Sequence, residues 1–152
     1  MRNKKKLLVE QLDKKLKIFS TKKTETPIKG WIHTIRTSLN MTMEQLGTKL
    51  SITKQGLKRI EESEAKGTIS INTLNEVAKA LDMKLIYGFT PKNGSVQQLV
   101  NEKAEKLARK IVLRTHQNMS LENQAIIDSK IKQSIDDLTE DIKREMKKSL
   151  WD

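Results

Sequence analysis

The sequence predicts a mainly α-helical protein with a small helical domain, one short strand and a C-terminal helical hairpin. Three observations carry this expectation. In the stretch TMEQLGTKLSITKQGLKRIE, Thr42 to Glu61, the apolar residues Leu46, Leu50, Ile52, Leu57 and Ile60 have the spacing of two short helices joined by a tight turn. The run Met83–Phe89 changes period: Leu85, Tyr87 and Phe89 alternate with Lys84, Ile86 and Gly88, as in a strand. Near the C-terminus, Ile131, Ile135, Leu138, Ile142 and Met146 repeat in alternating steps of four and three, the pattern of a long helix with one buried stripe.

The elements follow in order. Residues 5–19 read as an amphipathic helix with Leu8, Leu12, Leu16 and Phe19 on one stripe and lysines opposite. The polar stretch Ser20–Lys29, containing Pro27, is a linker. Gly30 precedes a helix from about Trp31 to Leu39 whose inner face offers Ile32, Ile35 and Leu39, and Asn40 suits the left-handed cap that ends it. Thr42 and Gln45 form a capping-box pattern at the next helix, and Thr53 caps the one after it. A helix from about Ser70 to Leu81 turns Leu74, Val77, Ala78 and Leu81 inward. Beyond the strand, Ser95 and Gln98 open a helix reaching about Gln117, Asn118–Ser120 is a turn, and the last helix spans about Leu121 to Ser149. The strand needs a partner, because buried unpaired backbone groups are costly. Either Lys17–Thr24 supplies it within the chain, or the same strand of a second copy does so across a two-fold axis. The hairpin is the other surface on which a homodimer can form.

Composition narrows the function. Hydrophobic residues are 36% and aromatics 3% of the 152 positions, so any core is aliphatic and modest. No apolar run approaches the ~20 residues of a membrane span, and the start MRNKKKLLVEQLDKKLKIF interrupts its apolar stretch with Glu10, Gln11 and Asp13, unlike a signal peptide. The absence of cysteine excludes disulfides and thiol chemistry and fits a cytoplasmic protein. Of the net charge of +11, the first 30 residues contribute most, with ten Lys/Arg against three acids. That basicity lies beside the two-helix stretch, where neutralising phosphates would favour nucleic acid. His33 and His116 are far apart and bracketed by no ligand pattern, and no nucleophile–base pair or Gly-rich phosphate loop is present; neither a metal or other cofactor nor an enzyme activity is expected.

Chemistry concentrates on the helix that begins after Thr53. Lys54, Gln55, Lys58 and Arg59 lie between its apolar positions and can reach base edges and phosphates in a DNA major groove. Gln55 suits bidentate contact with adenine and Lys54 contact with guanine. Arg59, one turn further along, reads a base or grips a phosphate. Thr53 caps the helix and can bond a phosphate, since the amides beside it favour an anion. Gly56 permits close approach. Met43, Lys49 and Lys66 complete the expected DNA-facing set, the two lysines as phosphate contacts. A solvated polar helix face is the plainer alternative, and it is also the first reading of Asp136, Asp137, Glu140 and Asp141. Trp31 and Trp151 are expected as packing anchors.

Arg36 to Leu81 resembles the Cro/C1-type helix-turn-helix (lambda-repressor-like) domain of phage repressors and many antitoxins, in IRTSLNMT, EQLGTKL, SITKQGLKRIE and SINTLNEVAKAL. The resemblance implies a structural salt bridge between Arg36 and Glu61. Ser51 stands where that family usually has Gly, and Gly47 where it usually packs Ala. Over most of its length the chain also resembles mobile mystery protein A, a family of small bacterial proteins usually encoded beside a Fic-domain protein. The residues that carry this are Gly30-Trp31-Ile32, the run RIEESEAKGTISINTLNEVAKALDMKLIYGF, His116-x-x-Met119-x-Leu121-Glu122-x-Gln124, and Leu150-Trp151-Asp152. It implies a regulator or an antitoxin-like partner of a Fic-domain protein. Inhibitors of Fic enzymes often carry Ser/Thr-x-x-x-Glu-Gly/Asn; here Glu122 precedes Asn123, but Asn118 holds the first position, and Glu122 also suits the helix N-terminus it occupies.

Three segments are therefore expected: 1–29, a basic helix and linker; 30–91, the helix-turn-helix domain with its terminal strand; and 92–152, the hairpin. The expected function is sequence-specific binding of double-stranded DNA, at a palindromic operator and as a homodimer, repressing the chain's own operon. The alternative is a protein-binding antitoxin that inhibits a Fic-domain partner, with the helix-turn-helix as scaffold.

Overall fold

A computed structural model describes residues 3–20, 25–116 and 124–152. Its described helices are α1 (Lys4–Ser20), α2 (Trp31–Ser38), α3 (Met43–Lys49), α4 (Lys54–Lys66), α5 (Ile71–Ala80), α6 (Val96–Thr115) and α7 (Gln124–Glu145), followed by a 3-10 turn, Lys148–Trp151. Two compact units result: Lys23–Tyr87, and Met1–Lys22 together with Gly88–Asp152.

The first unit is closed by one aliphatic residue or more from each of its four helices. Ile32 of α2, Leu46 of α3, Leu57 of α4, and Val77 with Leu81 of and after α5 form the buried cluster, flanked by Ile35, Leu50, Ile52, Ile60 and Leu74. Leu46, Leu57 and Val77 are wholly buried, each contributing roughly 1.5–3 kcal/mol against exposure. Short helices fit this core because their ends are chemically finished. α3 starts with a reciprocal capping box, in which the Gln45 amide donates to Thr42 Oγ1 (3.1 Å) and the Thr42 amide donates to Gln45 Oε1 (2.8 Å). α2, α3 and α5 stop in the same way, on a non-glycine residue at positive φ: Asn40 (53°), Ser51 (57°) and Asp82 (55°). The next amide then reaches back five residues, from Met41 to Arg36, Ile52 to Gly47 and Met83 to Ala78.

Two sequence expectations for this unit are corrected. Leu39, placed on the inner face, is 55% exposed, because the left-handed turn at Asn40 carries the chain off the core one residue later. Met83–Phe89 forms no strand among the described residues. Lys17–Ser20, half of the stretch that could have paired with it in cis, is the last turn of α1. Among the described residues it has no ladder partner to hold it in a sheet.

The second unit packs α6 against α7. Ala104 and Ala108, both fully buried, let the two helices approach closely, and Val100, Val112, Ile135 and Leu150 fill the seam. α7 ends at Glu145, earlier than the periodicity indicates. Met146 takes φ 42°, and Lys147 folds back to Glu145 (2.8 Å), holding that carboxyl below the ordinary carboxylate range. The break returns Leu150 to the core, while Trp151, expected as the anchor, is 51% exposed.

α1 belongs to this unit, and its attachment is polar. Asp13 accepts the amides of Val96 (2.6 Å) and Gln97 (3.1 Å), adding to Ser95, which accepts that of Gln98. Lys5 Nζ donates to the carbonyls of Glu145 (2.7 Å) and Met146 (3.2 Å) at the far end of α7. An anion thus sits at a helix N-terminus and a cation at a helix C-terminus, the arrangement helix dipoles favour. The expected apolar stripe is only partly used. Leu8 and Leu12 are exposed, Leu16 and Phe19 half-buried, and the Phe19 ring lies so close to Gly88 that a Cβ there would overlap it. The turn Asn118–Ser120 and Glu122 lie outside the described residues.

Candidate nucleic-acid interface

The geometry of α3, its turn and α4 follows from one close approach. The Ile52 amide donates to the Gly47 carbonyl at 2.9 Å, and a Cβ on Gly47 would stand 2.9 Å from the Ile52 carbonyl oxygen. The turn therefore packs on bare helix backbone, which accounts for glycine here. Ser51 supplies the left-handed residue.

α4 is oriented by what it buries. Leu57 is fully buried and Glu61 nearly so, at 6%. In a helix of 3.6 residues per turn Gln55 and Arg59 then lie on the opposite face and Lys58 on its flank, while Lys54 projects from the helix start one turn before Leu57; all four are exposed. Thr53 caps the helix, accepting the Gly56 amide at 3.0 Å. Lys54 also reaches Glu44 of α3 at 3.4 Å, an exposed ion pair that joins the two helices weakly.

The other expected contact residues are distributed unequally. Lys49, at the end of α3, is exposed. Met43 is half-buried and packs against the core cluster, leaving part of its side chain for a ligand. Lys66 is exposed but ends α4, about 18 Å along the axis from Lys54 at 1.5 Å per residue. It stands apart from the N-terminal set.

Behind this surface, Arg36 Nε donates to Glu61 Oε1 (2.5 Å) and Nη2 to Oε2 (3.2 Å), while Nη1 donates to the Met41 carbonyl (3.0 Å). One buried guanidinium thereby ties α2, α4 and the loop before α3 together. Sequence reasoning missed two neighbours of this network. His33 Nδ1 lies 3.3 Å from Glu61 Oε2, and Glu64 Oε1 accepts the Ile32 amide at 2.8 Å. Glu64 thus caps α2, whose own N-cap Gly30 has no side chain to do so. A partner 32 residues away leaves no local signal in the sequence.

A fully buried inner face, a tight turn and a solvent-facing polar start of the second helix define a helix-turn-helix. Residues 32–87 match the family model described as helix-turn-helix, of the Cro/C1 type. The chain therefore contains a domain of the architecture that DNA-binding regulators use. No curated protein and no solved structure gave a significant match to the chain. Among the described residues no helix is long and apolar enough to cross a membrane.

Proposed function

We propose that this protein is a sequence-specific regulator that binds double-stranded DNA through α4 and represses its own operon from a palindromic operator in the cytoplasm. The observation that carries this reading is the exposure of Gln55 and Arg59 opposite a fully buried Leu57, with Lys54 and Lys58 exposed beside them. Gln55 and Lys54 are the base readers at the helix start, Arg59 reads or clamps one turn later, Thr53 and Lys49 hold phosphates, and Met43 and Lys66 are peripheral. A mobility-shift titration against the chain's own upstream DNA at two salt concentrations tests it. Arg59→Ala is expected to cost ~1–3 kcal/mol on the specific site and relax one base preference; Lys49→Ala should weaken all sequences alike and lower the salt slope by about one. Unchanged operator affinity in both variants would remove α4 from the groove.

A second reading, an antitoxin-like role toward a Fic-domain partner, rests on the family resemblance and is favoured by exposed Leu99, Ile111 and Leu113 on α6. On that reading, deleting residues 95–152 abolishes partner binding; Glu122 lies outside the described residues.

A further inference from the structure

α1 crosses the second unit fastened at two points. Near its start, Asn3 Nδ2 donates to the Arg144 carbonyl and Lys5 Nζ to those of Glu145 and Met146. Further along, Asp13 accepts the amides that open α6. From Lys5 to Asp13 is about 12 Å along the helix axis at 1.5 Å per residue. Between the two fastenings lies a cavity of about 300 Å³. Val9 of α1, Val100 of α6 and Met146 after α7 give it an apolar wall. Lys6, Lys143 and Arg144 stand on its rim, against the carboxylate of Glu140.

We propose that this cavity binds a small aliphatic carboxylate, with its chain among Val9, Val100 and Met146 and its head between Lys6, Lys143 and Arg144. Charge fixes the sign of the ligand. Among the described residues, exposed Lys6 makes no ion pair or side-chain hydrogen bond. Lys143 is held by Glu140 (3.1 Å), whose side chain is 72% exposed, an ion pair weak enough to exchange for a bound carboxylate. Arg144, paired with exposed Asp141, offers the planar fork that a carboxylate accepts in a bidentate way. The α7 carbonyls that would repel an anion are already taken by Asn3 and Lys5.

Volume and wall chemistry fix the rest. The cavity is at the lower end of small-molecule pockets, room for an acid of about eight carbons. Among the described residues no aromatic ring lines it, so a nucleobase has nothing on which to stack. The site lies wholly within the second unit and binds without DNA, so it stands or falls apart from the operator reading.

Sodium octanoate, titrated into the isotopically labelled full chain free of DNA and followed by amide NMR shifts, tests it. Shifts at Lys6, Val9, Val100 and Met146 should saturate together, half-complete at about 0.1–1 mM for an anion of about ten heavy atoms. Octan-1-ol, with the same chain and no charge, should bind at least fivefold more weakly, and octylammonium not at all. Lys6→Gln combined with Lys143→Gln should weaken octanoate at least fivefold with helical circular dichroism unchanged. Lys14→Gln with Lys15→Gln removes as much charge from α1 lysines that do not line the cavity, and should bind as the original chain does. Shifts that never saturate, or that map to the groove beside Leu107 and Ile111, overturn the proposal. So does equal binding of octylammonium, unchanged affinity in the Lys6 and Lys143 variant, or an equal loss in the Lys14 and Lys15 variant.

Discussion

Arg36 and Glu61 show how much one pair of side chains does in a small aliphatic core. Their ion pair is almost wholly buried, so Glu61→Ala would leave an unpaired guanidinium and is expected to cost about 3–5 kcal/mol, read as a lowered urea midpoint at unchanged slope. His33 cannot replace the lost carboxylate. Ser51 is the opposite case. At φ 57° it bears a steric cost that glycine lacks, so Ser51→Gly should raise stability by about 1 kcal/mol, visible as a higher thermal midpoint. If the midpoint falls, the turn is held by the serine and not strained by it. The resemblance implied the first pair; the cost at Ser51 was legible only as a departure from the usual glycine.

At the scale of elements, α4 and α1 divide along the kind of signal that specified them. The two faces of α4 were readable from spacing, since Leu57 and Ile60 recur at a helical interval and leave the basic residues between them outside the core. α1 was read from periodicity too, but its apolar stripe is largely exposed, and Asp13 and Lys5 decide where it lies. Asp13→Ala is expected to cost about 1 kcal/mol, the usual value of a helix cap, and to speed amide exchange at Val96 and Gln97 while leaving exchange at Leu57 unchanged. Equal acceleration at both sites would mean that α1 stabilises the chain by some other route. Nothing in the sequence near Asp13 announces this, because its partners are 83 and 84 residues away.

For the whole molecule, the consequence is two hydrophobic cores in one chain of 152 residues. Ile32, Leu46, Leu57, Val77 and Leu81 close one; Val100, Ala104, Ala108, Val112, Ile135 and Leu150 close the other. Each unit holds one tryptophan, Trp31 or Trp151. Single-tryptophan variants, Trp151→Phe to follow the first unit and Trp31→Phe the second, should therefore unfold in urea with different midpoints. Coincident transitions would show the chain to be one cooperative structure.

Local order was determined by the sequence alone: helix spacing, the capping residues Thr42, Thr53 and Ser95, the left-handed stop at Asn40, and the basic face of α4. These depend on residues within a turn or two of one another, and a one-dimensional pattern records them. Tertiary structure decided what depends on distant partners: Glu64 capping α2, α1 joining the hairpin, Leu150 and not Trp151 entering the core, and Met83–Phe89 left without a ladder. Each is settled by which donor, acceptor or cavity another part of the chain supplies, and that is a property of the fold.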